Sequence, residues 1–176
     1  VNYHQTGKST NTNELGMREM QARVYQHRKS KYILVKARPA SGKSRALMFV
    51  ALDKLANQGV KKVIVAVPER SIGRSFKNTD LVKFGFYEDW RVDPKYDLTL
   101  NGGQESKVQK LLDFLSDPNG RILICTHATL RFAYQKVADD HTFDDVMLAI
   151  DEFIHVSSND SSVLGDALRY IMHNSS

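Results

Sequence analysis

The chain has 176 residues and a mass of 20.0 kDa, room for one domain with a hydrophobic core and too little for two. Apolar residues make up 41% and charged residues 26%, which excludes general disorder; no apolar run reaches the roughly 18 residues of a membrane span, and one cysteine, Cys125, excludes an internal disulfide and a cysteine-based zinc cluster. The net charge of +5 is uneven: residues 1–45 hold ten Lys/Arg against two Asp/Glu, a local +8, and the rest hold fifteen against eighteen, a local −3. The basic excess therefore belongs to the first quarter of the chain and points to an anionic partner there. No signal peptide opens the sequence, so a cytoplasmic location is the default expectation.

Val1 rather than Met begins the chain, as in a processed protein or a fragment. Residues 1–13 are polar without an apolar period and are expected to be a tail or an expression remnant, with a single domain over 14–176. A helix is expected from Glu14 to about Arg28, capped by Asn13. Tyr32–Ala37 predicts a buried strand, Arg38–Ser41 a short loop, and Lys43 to about Gln58 a helix with Leu47, Val50, Ala51 and Leu55 on one face. Val63–Val67 predicts a second strand, followed by a helix around 72–84 and a short strand over Tyr96–Leu100. The aromatic residues Phe84, Phe86, Tyr87 and Trp90 read as core or surface rather than a base-stacking platform, because no basic residues are interleaved among them. Glu105–Leu115 predicts a helix, Asp117–Gly120 a turn, Ile122–Cys125 and Val146–Ile150 two more strands, and Ser162–Met172 a closing helix. Cys125, at a strand end with no base beside it, reads as a small buried residue. Continuous apolar strands alternating with helices predict an α/β fold with a mostly parallel sheet covered on both faces. Ligands in such folds lie at the carboxyl ends of the strands.

Ala37-Arg38-Pro39-Ala40-Ser41-Gly42-Lys43-Ser44 follows the first of these strands and opens a helix. This layout suits polyphosphate, because loop amides and the helix N-terminus both present positive charge. Gly42 permits close backbone approach, Lys43 reaches the β/γ-phosphates, and Ser44 ligates Mg²⁺. Arg38–Arg45 form the expected nucleotide loop. The same tripeptide at Gly7-Lys8-Ser9 has no strand before it and is assigned no role. Asp151-Glu152 follows Val146–Ile150: Asp151 is expected to hold Mg²⁺ and Glu152 to orient the attacking water.

These segments resemble the first RecA-like lobe of a superfamily 2 helicase, of the broad group with DEAD/DEAH-type boxes and restriction-enzyme motor subunits. Ala37, Gly42, Lys43 and Ser44 match its phosphate loop, with Ala40 where the family has glycine. Asp151-Glu152 match the first half of its acidic box, with Ile154 in the fourth position and His155 one residue late. The resemblance implies a three-layer RecA-like P-loop NTPase domain that uses ATP and Mg²⁺. It further implies that Gln21, in Met17-Arg18-Glu19-Met20-Gln21, reads the adenine edge. Pro68 and Arg70, and Thr126, His127 and Thr129, match two loops that grip a nucleic-acid backbone. DNA is favoured over RNA on the similarity to restriction-type motors. A second RecA-like lobe is implied as a partner, and with it a transition-state arginine worth about 10³–10⁵ in rate. The 176 residues alone are therefore expected to bind Mg-ATP weakly and turn it over slowly. The competing readings are another P-loop NTPase, such as a kinase, and a degenerate scaffold lobe. A kinase would carry an arginine-rich lid, yet residues 132–176 hold one arginine, Arg169. Intact Lys43, Ser44, Asp151 and Glu152 argue against the scaffold.

Overall fold

The computed structural model describes residues 2–4, 12–29, 32–36, 42–67, 76–99, 103–137, 143–150 and 153–156. In chain order the elements are β1 (Asn2–His4), α1 (Glu19–Gln26), β2 (Tyr32–Lys36), α2 (Lys43–Asn57), β3 (Lys62–Val67), α3 (Gln104–Ser116), β4 (Ile122–Thr126), α4 (His127–Lys136), β5 (Val146–Ile150) and β6 (Phe153–Val156). The six strands form one sheet in the order β1-β2-β6-β5-β3-β4. The pairs β1–β2, β5–β3 and β3–β4 are parallel. Only β6 runs the other way, antiparallel to both β2 and β5.

The period-two alternation of the strands sorts the core into two layers. Val63, Val65 and Val67 of β3, with Ile122, Ile124, Met147 and Ala149, pack beneath α1 and α2. Ile64 and Ala66, with Leu123, Cys125, Leu148 and Ile150, pack beneath α3 and α4. β3, β4 and β5 are thus buried on both faces, as their unbroken apolar runs predict. The result is the expected three-layer α/β arrangement. α2 is buried continuously from Ala46 to Lys54, because the sheet lies on one side and α1 with the segment 76–92 on the other.

Several expectations change. α1 begins at Glu19 rather than Glu14, because the Asn13 carboxamide oxygen accepts from the amides of Leu15 (3.0 Å) and Met17 (2.9 Å). Side-chain capping of this kind competes with helix formation. Asn2–His4, expected to lie in a polar tail, pair in parallel with β2. The helix expected over 72–84 is not present in its described part. In its place are a 3₁₀ turn at Val82–Phe84 and an isolated bridge between Thr79 and Trp90. Side chains hold this segment: Asp89 accepts from the amides of Leu81 and Val82, Asn78 accepts from that of Val92, and Trp90 Nε1 donates to the Phe76 carbonyl. The strand expected at Tyr96–Leu100 is a 3₁₀ turn over Pro94–Tyr96 followed by a single bridge from Asp97 to Ile124. α4 was not foreseen. The closing helix expected over 162–172 lies outside the described residues.

Among the described residues, no helix is long and apolar enough to cross a membrane.

Candidate nucleotide-binding site

β2 and β5 are both antiparallel to β6, so β2, β5, β3 and β4 share one direction. Leu34, Phe153, Ile150, Ala66 and Cys125 lie in one register row across them. Four of the segments singled out from the sequence come next in the chain after these strands. Residues 37–44 follow β2, 151–152 follow β5, 68–70 follow β3, and 126–130 end β4 and start α4. The carboxyl ends of the four strands therefore share one edge. Arg38, Pro39, Ala40 and Ser41, Pro68 and Arg70, and Asp151 and Glu152 lie outside the described residues, as does the His155 side chain.

The described half of the site is the start of α2. Gly42 caps it with φ +91°, ψ +18°, a left-handed backbone that suits glycine. Lys43, Ser44 and Arg45 form the first turn and are all half-buried. No acidic residue occupies that turn. Two cations at the positive end of a helix dipole are unfavourable in themselves, and an anion placed there relieves both.

Gln21 is 2% exposed. Its Oε1 accepts from the Arg18 amide (2.8 Å) and its Nε2 donates to the Gly42 carbonyl (3.1 Å). It therefore caps α1 and braces Gly42, with both ends of its amide engaged inside the protein. A Cβ on Gly42 would lie 2.5 Å from Gln21 Nε2. Gly42→Ala is expected to destabilise the chain by roughly 2–3 kcal/mol, through left-handed strain and loss of the buried hydrogen bond. A lower denaturation midpoint at unchanged m-value would register it; an unchanged midpoint would contradict it.

At the other end of the edge, Thr126 caps α4, its hydroxyl accepting from the Thr129 amide (3.3 Å) and lying 3.2 Å from Thr129 Oγ1. Thr126 is half-buried, whereas Thr129 is 0% and His127 4% exposed. The helical turn that starts at His127 draws both inward with Leu130. Cys125 is buried, and burial raises its thiol pKa well above the ordinary value, consistent with a packing role.

Sequence reasoning missed the cluster at the far end of α2, where Asp53 and Lys54 are buried among Tyr25, Arg28, Tyr87, Asn57 and Gln58. The available signal was a charged pair inside an otherwise apolar helical run.

The DEAD/DEAH box helicase family model matches residues 18–175. The chain belongs to the DEAD/DEAH box helicase family. A Bacillus subtilis (strain 168) protein named Putative ATP-dependent helicase YeeB is 63% identical over 176 residues, which is 100% of this chain and 29% of that protein. The chain thus spans under a third of the relative's length, and the aligned region takes in residues 1–13. No solved structure matches. Membership of this helicase family sets aside the kinase reading, and the three-layer sheet is the RecA-like helicase lobe expected from the sequence.

Proposed function

We propose that the chain is the ATP-binding motor lobe of a DNA helicase or translocase that is completed by a second RecA-like lobe. The observation that carries this is the start of α2: Gly42, Lys43, Ser44 and Arg45 at the carboxyl edge of a mostly parallel sheet, with two cations and no carboxylate in the first helical turn. Residues 38–45 wrap the triphosphate, Lys43 pairs with the β/γ-phosphates, and Gln21 holds Gly42 in position for them. Ser44 and Asp151 supply oxygen donors, the chemistry Mg²⁺ prefers, and the residues therefore fit that ion. When bound, Mg²⁺ neutralises charge on the β- and γ-phosphates. Glu152 orients the attacking water and accepts its proton. Pro68, Arg70 and Thr126 face a nucleic-acid backbone, and α4 takes part through its N-terminal end, since the His127 and Thr129 side chains are buried.

The test is binding of labelled Mg-ATP by the parent chain and by Lys43→Ala. Loss of a charged hydrogen-bond donor is worth about 1.5–3 kcal/mol, so affinity is expected to fall about 10- to 150-fold. Equal affinity in both proteins would sink the proposal. Phosphate release by the 176 residues alone should be slow, because the transition-state arginine belongs to the second lobe.

A further inference from the structure

α3 and α4 lie side by side on one face of the sheet. α3 leads through the turn at Asp117–Gly120 into β4, and β4 runs straight into α4. Both helices therefore run from the carboxyl edge of the sheet back towards its other edge. Their inner sides close the core over Leu123, Cys125, Leu148 and Ile150. Their outer sides meet in a groove of about 290 Å³, lined by Glu105 and Val108 of α3 and by Phe132 and Lys136 of α4. Val108 is buried, whereas Phe132 is 41% exposed, with the Arg131 guanidinium 4.9 Å from its ring centroid. A phenylalanine alone on a convex surface needs no explanation, but this one walls a concave apolar site. On the opposite helical layer, Phe76, Leu81, Phe86 and Trp90 of the segment 76–92 pack over α2. Among the described residues, nothing does the same for this groove.

We propose that the groove is the docking site for an amphipathic helix from the part of the full-length protein that lies outside these 176 residues. The 63% identical relative carries more than two-thirds of its length outside the aligned region, so there is ample chain to supply one. A helix seats in a groove through apolar anchors spaced three or four residues apart, and Val108 and Phe132 offer the floor and wall for such an anchor. Glu105 lies one turn from Val108 towards the carboxyl edge, and Lys136 lies one turn from Phe132 towards the other edge. The two ends of the groove thus carry opposite charges. The matching helix presents Lys or Arg to Glu105 and Asp or Glu to Lys136, which fixes its direction and register. A small-molecule ligand fits less well, because such sites converge several polar groups on the ligand, and here Glu105 and Lys136 are exposed at opposite ends. A nucleic-acid backbone would meet the Glu105 carboxylate at the end nearest the carboxyl edge, which its phosphates oppose. No residue of the nucleotide site takes part, so the docking site stands or falls separately from it.

The experiment uses the full-length protein with p-benzoylphenylalanine in place of Phe132, irradiated with and without duplex DNA. The expected adduct has the mass of one chain and joins position 132 to a peptide outside residues 1–176 in both samples. An adduct confined to residues 1–176, an adduct of two chains, an adduct to DNA, or no adduct would each overturn the proposal. Hydrogen exchange in the full-length parent and in Phe132→Glu gives a second reading. A carboxylate in an open groove changes little, whereas one set against a docked apolar anchor expels it. Amides of α3 and α4 around the groove are expected to exchange about 5- to 30-fold faster in the variant, the scale on which an interface anchor counts. Amides of β3 and β5 are expected to keep the parent rate. Unchanged exchange at the groove, or a rise spread equally over β3 and β5, would overturn the docking site.

Discussion

Glu152→Gln in the full-length protein is expected to lower ATP turnover by about 10²- to 10⁴-fold, the usual worth of a general base, while Mg-ATP affinity stays within about twofold. The asymmetry follows from where charge matters. A carboxylate that only accepts a proton from water contributes to the transition state and little to the bound nucleotide. Lys43, which pairs with phosphate in both states, should show the opposite split and lose affinity first. β5 supplies the placement: Val146–Ile150 is apolar and buried throughout, so its first charged residues are Asp151 and Glu152, just past the row that joins Ile150 to Ala66 and Cys125. Single-turnover hydrolysis alongside equilibrium binding distinguishes the two variants. A Glu152→Gln protein that hydrolyses ATP at the parent rate would remove Glu152 from the chemistry.

How much of this was legible in the sequence depends on whether the governing interaction is local. β3, β4 and β5 were readable because burial on both faces leaves an unbroken apolar run. Gly42-Lys43-Ser44 was readable because strand, loop and helix are contiguous. The segment 76–92 was not, since it is held by Asp89, Asn78 and Trp90 bonding to distant backbone groups, and such bonds leave no period. α4 carries a helical period in Leu130, Ala133 and Tyr134, but a strand running directly into a helix through a threonine cap reads as a loop. Gln21 was singled out through the resemblance of Met17–Gln21 to a family segment, yet its hydrogen bond to Gly42 left no trace in that pattern. Phe84, read as core or surface, lies at the surface, and its contact with Arg45, 39 residues away in the chain, leaves no local signal.

α1 is fastened to α2 at both ends. Gln21 grips Gly42 at one, and Tyr25 and Arg28 grip Asp53 at the other. The second grip reaches further, because Tyr87 also donates to Asp53 (3.3 Å) and stacks on Phe86. One carboxylate therefore joins α1, α2 and the segment that presents Phe84.

Asp53→Ala is accordingly expected to destabilise the chain by about 3–5 kcal/mol, the scale for removing one partner of a buried ion pair. Asp53 is 3% and Lys54 2% exposed. Without the carboxylate, the Lys54 ammonium, which donates to the Arg28 carbonyl (2.7 Å) and to Gln58 Oε1 (3.2 Å), stays buried with a negative neighbour gone. The melting temperature should fall by roughly 6–20 °C for a chain of this length. The deficit should also depend on pH. Burial raises the Asp53 pKa, but hydrogen bonds from Gln58, Asn57 and Tyr25 and the Arg28 charge outweigh it and hold the carboxyl below its ordinary value. A carboxylate with a depressed folded pKa contributes stability above its unfolded value, near pH 4, and loses it as pH falls through the folded value. The gap between parent and variant should therefore be widest near neutrality and close on acidification. Burial holds Lys54 below the usual lysine value, with Asp53 opposing; removing Asp53 depresses it further, so the variant should recover stability at a lower alkaline pH than the parent. Denaturant melts of both proteins from pH 3 to pH 9 provide the measurement, and a deficit that stays constant across that range would show that Asp53 acts by packing rather than by charge.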